Sequence, residues 1–81
     1  MQVVVRLFAR ARDLAGADYV TVDVPTGSTV GDLRRRLAEA SPGLKSLLQH
    51  SAIAVNDEYA GDSLSLPANV EVALLPPVSG G

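Results

Sequence analysis

Tyr19-Val20-Thr21-Val22-Asp23-Val24-Pro25-Thr26-Gly27-Ser28-Thr29-Val30-Gly31-Asp32-Leu33-Arg34-Arg35-Arg36-Leu37-Ala38-Glu39-Ala40 changes its apolar period across a single turn. Before the turn the period is two: Val20, Val22 and Val24 share one face, and Tyr19, Thr21 and Asp23 share the other. That is a half-buried strand, closed by Pro25-Thr26-Gly27. After the turn, Val30, Leu33, Leu37 and Ala40 recur at helical spacing, with Arg34, Arg35, Arg36 and Glu39 expected on the flanks and outer surface. Thr29 followed three residues later by Asp32 has the form of a capping box, with the carboxylate at the positive end of the helix dipole. Arg35 and Glu39, four apart, form at most a weak surface pair.

Working outward, Gln2 to Phe8 reads as a strand apolar on both faces, and so as an interior strand. Ala9 to Ala15 forms a short helix stopped at Gly16. Beyond Pro42-Gly43, residues Leu44, Leu47 and Leu48 predict a helical turn packed beneath the main helix. Ala52 to Val55 is a short strand, and Asn56-Asp57-Glu58 is turn chemistry leading to a marginal strand through Tyr59. Leu64 and Leu66 are expected to anchor a loop in the core. Val70 to Leu75 is the last strand, which Pro76-Pro77 must end because neither proline has an N–H for the ladder. The order is strand, strand, helix, strand, strand, an α+β fold with one amphipathic helix on one face of a mixed sheet. Residues 1–75 form the domain and residues 76–81 an extended tail.

Composition narrows the function. The chain has 81 residues and no cysteine, which excludes disulfides, iron–sulfur clusters and thiol catalysis on this chain. A net charge of -2, with six arginines but one lysine, Lys45, gives little attraction to nucleic acid. No apolar run reaches the length of a membrane span, and no signal peptide opens the sequence, so a cytoplasmic location is expected. His50 has no second ligand type clustered near it, so no metal is expected. No glycine-rich phosphate cradle exists.

The tail carries the chemistry. Pro76-Pro77-Val78-Ser79-Gly80-Gly81 reaches at most about 20 Å when extended. Pro-Pro stiffens its root, and Gly80-Gly81 removes side chains where a narrow channel would receive the end. Two terminal glycines arise by chance in about 0.5% of chains, which disfavours a merely frayed terminus. Val72-Ala73-Leu74-Leu75-Pro76-Pro77-Val78-Ser79-Gly80-Gly81 resembles the end of the small, sulfur-carrying subunit of molybdopterin synthase. Val5-Arg6-Leu7-Phe8-Ala9-Arg10-Ala11-Arg12-Asp13-Leu14-Ala15-Gly16 and Ala54-Val55-Asn56 are similar to that family at matching positions.

The resemblance implies a ubiquitin-like β-grasp fold and chemistry at Gly81. An ATP-dependent adenylating enzyme would convert the Gly81 carboxylate to an acyl-adenylate, attaching AMP transiently, and sulfur would replace AMP to give a thiocarboxylate. The tail would then enter the large catalytic subunit, in an expected heterotetramer, and donate sulfur to cyclic pyranopterin monophosphate. No permanently bound cofactor is implied, and the chain is not an enzyme by itself. The resemblance also implies docking at Phe8, Arg12 and Leu75, the last standing where the family often has an aromatic ring. The tail's own energetics are marginal, so the body is expected to dock too. Ordering six tail residues costs about 6–12 kcal/mol, and burying Val78 returns only about 1.5–3.

Simpler readings stand beside these. Phe8 can be core, and Arg10 and Arg12 a solvated helix face. Three other functions share the features: a sulfur carrier of thiamine synthesis, a modifier joined to lysines through Gly81, and a plain interaction domain.

Overall fold

Val3, Val5 and Leu7 alternate with exposed Gln2, Val4 and Arg6, so the first strand buries one face only. The structure, a computed structural model, describes residues 1–77. Its elements are β1 (Gln2–Leu7), α1 (Ala9–Ala15), β2 (Tyr19–Asp23), α2 (Val30–Ala40), a 3₁₀ turn (Pro42–Leu44), α3 (Lys45–Leu48), β3 (Ala52–Val55), β4 (Glu58–Ala60) and β5 (Glu71–Leu75). The five strands form one mixed sheet in the order β2-β1-β5-β3-β4. β1 and β5 run parallel at its centre, and every other pairing is antiparallel.

The buried face of the sheet and the helices enclose one core. Val3, Val5, Leu7, Val22, Ile53, Val72 and Leu74 meet Val30, Leu33, Leu37, Leu44 and Leu48 there. α2 starts as its sequence specifies. The Asp32 N–H donates to Thr29 Oγ1 at 3.2 Å, and the Thr29 N–H donates to Asp32 Oδ2 at 3.0 Å. α1 stops at Gly16, whose φ of 70° lies in the left-handed region where a Cβ would be strained. Among the described residues no helix is long and apolar enough to cross a membrane.

Several expectations need correction. Phe8 does not extend β1 but stands at the N-cap of α1, 41% exposed, and so is not core. Val4 is exposed, because among the described residues no layer covers the second face of the sheet. Ala40 is exposed and Ala38 packs on the core instead. Leu66 is buried, but Leu64 is exposed and contributes its carbonyl, which accepts the Val30 N–H at 2.9 Å. Arg35 pairs with Asp32 rather than Glu39. Arg34 is not an outer-face residue. Its guanidinium donates to the carbonyls of Leu48 and Ser51 and to Asp62 Oδ1, tying α2 to the end of α3 and the loop at 61–65.

Candidate docking site at the tail root

The uncovered face of the sheet carries the site. Pairing aligns Tyr19 on β2, Arg6 on β1, Ala73 on β5, Ala54 on β3 and Tyr59 on β4 in one row. Ala54 and Ala73 are the small members of that row, so the surface sinks between their taller neighbours. The resulting depression, of about 280 Å³, is lined by Phe8, Ala54, Asp57, Tyr59, Ala73 and Leu75. Leu75 is the last residue of β5, and Pro76-Pro77 follow directly. The tail root and the depression are therefore parts of one surface.

The β3–β4 hairpin sets one wall. Val55 pairs with Glu58, leaving Asn56 and Asp57 as a two-residue loop. Both have positive φ, 51° and 69°, the signature of a type I′ turn. Asn56 fastens this turn to β5: its N–H donates to the Glu71 carbonyl at 2.8 Å, and its Oδ1 accepts the Glu71 N–H at 3.0 Å. Tyr59 then projects at 80% exposure, an aromatic ring held in place with almost nothing covering it. Leu75 leaves the depression without a ring at its own position; Tyr59 supplies one from the neighbouring hairpin.

The residues expected at a partner interface divide. Phe8 and Leu75 line the depression together. Arg12 does not; it lies on α1 with its Nε 3.9 Å from Asp18 Oδ1, both side chains well exposed. Pro76 and Pro77 lie at the root, and Pro77 also borders a hollow on the helix side with Arg10, Leu14, Leu47 and His50. Val78, Ser79, Gly80 and Gly81 lie outside the described residues. Sequence reading missed Ala54, Asp57, Tyr59 and Ala73 as site residues, because only strand pairing brings them to one place. His50 is exposed, and no cluster of metal-binding side chains occurs among the described residues. A polar hollow between residues 25 and 39, lined by Ser28, Asp32, Arg35 and Glu39, shares no residue with the tail root. Within it, hydrogen bonding from the Thr29 backbone and hydroxyl, with Arg35 adding its charge, holds the Asp32 carboxyl below its ordinary value.

Known proteins share the sequence and the fold. A molybdopterin synthase sulfur carrier subunit from Arabidopsis thaliana is 37% identical over 81 residues, covering all of this chain and 84% of the relative. The crystal structure of SAMP1 from Haloferax volcanii superposes with a TM-score of 0.88 at 37% identity, each chain covered completely. A chain from the complex of subunits 1 and 2 of the molybdopterin-converting factor of Helicobacter pylori matches with a TM-score of 0.70 and 29% identity, again over both full lengths. The fold is a ubiquitin-like β-grasp. A model of the ThiS family matches residues 5–81, strands, helices and tail alike, and the chain belongs to that family.

Proposed function

We propose that this chain is the sulfur-carrier subunit of a molybdopterin synthase, delivering sulfur on its C-terminal glycine. The observation that carries the reading is the junction of a stiff diproline root with an apolar depression on an otherwise uncovered sheet face. A partner gripping the depression also meets the tail root at Pro76-Pro77. The names of the Arabidopsis relative and of the Helicobacter complex point to the same role.

The chemistry follows from the terminus. A chain-end carboxylate has a pKa of about 3.3–3.7 and is a poor electrophile at neutral pH. An adenylating enzyme joins a Gly81 oxygen to the α-phosphorus of ATP and releases pyrophosphate. Hydrosulfide-level sulfur then attacks the acyl carbon, AMP leaves with its bonding oxygen, and the carrier ends as a thiocarboxylate. The tail enters the large subunit, which performs the transfer to cyclic pyranopterin monophosphate. Cysteine is absent from the chain, so sulfur rides on the terminus itself.

Intact mass of the chain co-expressed with its activating enzyme tests this. The expected change is one terminal oxygen exchanged for sulfur, lost when Gly81 is deleted. Sulfur transfer that persists in the truncated chain overturns the reading.

The likeness to SAMP1 favours a second reading, a protein modifier conjugated through Gly81. An unmodified mass together with lysine conjugates on other proteins would select it. Self-linkage would then centre on Lys45, since the Met1 ammonium donates to the Val24 carbonyl at 2.6 Å and lies 3.7 Å from Asp23.

A further inference from the structure

The depression at the tail root contains one charged group, the Asp57 carboxylate, among Phe8, Ala54, Tyr59, Ala73 and Leu75. No arginine, lysine or histidine lies within ion-pairing distance of Asp57 among the described residues, and no hydrogen-bond donor there engages its side chain. Arg6 shares the uncovered face but stands on β1, with β5 between it and the β3–β4 hairpin.

The backbone adds an independent observation. Asp57 occupies the second loop position of a type I′ turn at φ 69°. Glycine is the favoured residue there, because a Cβ is penalised in the left-handed region. Asparagine at the first position, Asn56, follows the rule; aspartate at the second departs from it. Folding alone gives no reason for the carboxylate, since it caps nothing and pairs with nothing among the described residues. Backbone strain at a recognition surface is a reason to look for a role in binding.

We infer that Asp57 is a specificity determinant for the protein that receives the tail, and that this partner presents an arginine or lysine beside an apolar side chain seated on Ala54 and Ala73. The inference rests on the carrier reading, with the large subunit as occupant. The apolar contacts supply most of the affinity. The ion pair fixes rotation about the contact, so that the tail points into the channel, and it rejects surfaces that place a carboxylate or an apolar group opposite the hairpin. Covering the pair with the Phe8 and Tyr59 rings lowers the local dielectric and strengthens it beyond an exposed surface pair.

Binding of the chain to its purified cognate large subunit, measured across ionic strength, tests this with two variants. Asp57→Asn keeps a residue tolerant of positive φ and removes only the charge. Asp57→Gly removes the charge and relieves the backbone. Both are expected to weaken binding about tenfold and to flatten its salt dependence, while Asp57→Gly melts no lower than wild type. Wild-type affinity and salt slope in Asp57→Asn would overturn the assignment and leave the carrier reading intact. Failure of the wild-type chain to bind any large subunit would instead remove the carrier reading, and this inference with it.

Discussion

Arg34 shows how one side chain can hold three elements. Its Nη1 donates to the Leu48 carbonyl at 2.5 Å and the Ser51 carbonyl at 2.9 Å, while Nε and Nη2 reach Asp62 Oδ1 at 3.2 Å. With its side chain only 22% exposed, solvent replaces these bonds poorly. Arg34→Ala should cost about 1–3 kcal/mol by urea denaturation, and lysine should restore only part because it lacks the planar fork. Arg36→Ala, on the exposed side of the same helix, should stay within about 0.5 kcal/mol. Asp32 gives a pH signature. Its folded carboxyl titrates below the ordinary 3.8, chiefly through the Thr29 backbone bond. The unfolded chain therefore binds the proton first as pH falls. The contribution is complete above 3.8 and disappears as pH drops through the folded value. Stability followed from neutral to acid pH should fall less in Asp32→Asn than in wild type over that window.

At the scale of elements, the β3–β4 hairpin is the piece on which the site depends most. Ala54, Asp57 and Tyr59 all belong to it, and Asn56 joins its turn to β5 by a side-chain bond. Asn56→Ala loses that bond and places alanine at positive φ, which should lower stability by about 1–2 kcal/mol. Affinity for the large subunit should fall further than stability predicts, because the wall carrying Tyr59 loses its register. Equal affinity in the folded variant would show that the turn needs no fastening. Sequence periodicity sufficed for the strands, for α2 and its capping box, and for the stop at Gly16. It failed where long-range pairing decides. The partners of Arg34 lie 14 to 28 residues away, and nothing in three consecutive arginines marks the first as different. Phe8 and Leu75 were named through the family resemblance, and the structure places both beside the depression, Phe8 just past β1 and Leu75 at the end of β5. Asp57 and Tyr59 were not, since only the β3–β5 register carries their hairpin to the tail root.

The whole molecule separates folding from delivery by the two faces of one sheet. Every strand of the central pair alternates between them: Leu7 and Leu74 are buried against the helices, whereas Leu75 faces the depression and Phe8 follows β1 into it. The core cluster runs from Val3 to Leu74 and includes neither Pro76 nor Pro77 of the tail root. Neighbouring substitutions should therefore report on different properties. Leu7→Ala and Leu74→Ala empty core positions at 2% and 0% exposure and should cost about 2–5 kcal/mol of stability. Phe8→Ala should cost little stability but about 2–4 kcal/mol of affinity for the large subunit, with Leu75→Ala acting in the same direction. Removal of Gly81 should leave both the melting temperature and docking of the body nearly unchanged while abolishing sulfur loading. The three classes can be read from one set of proteins by thermal melting, by titration with the large subunit and by intact mass. If Phe8→Ala lowered stability as much as Leu7→Ala while binding held, the aromatic ring would belong to the fold, and the uncovered face would lose its main apolar anchor.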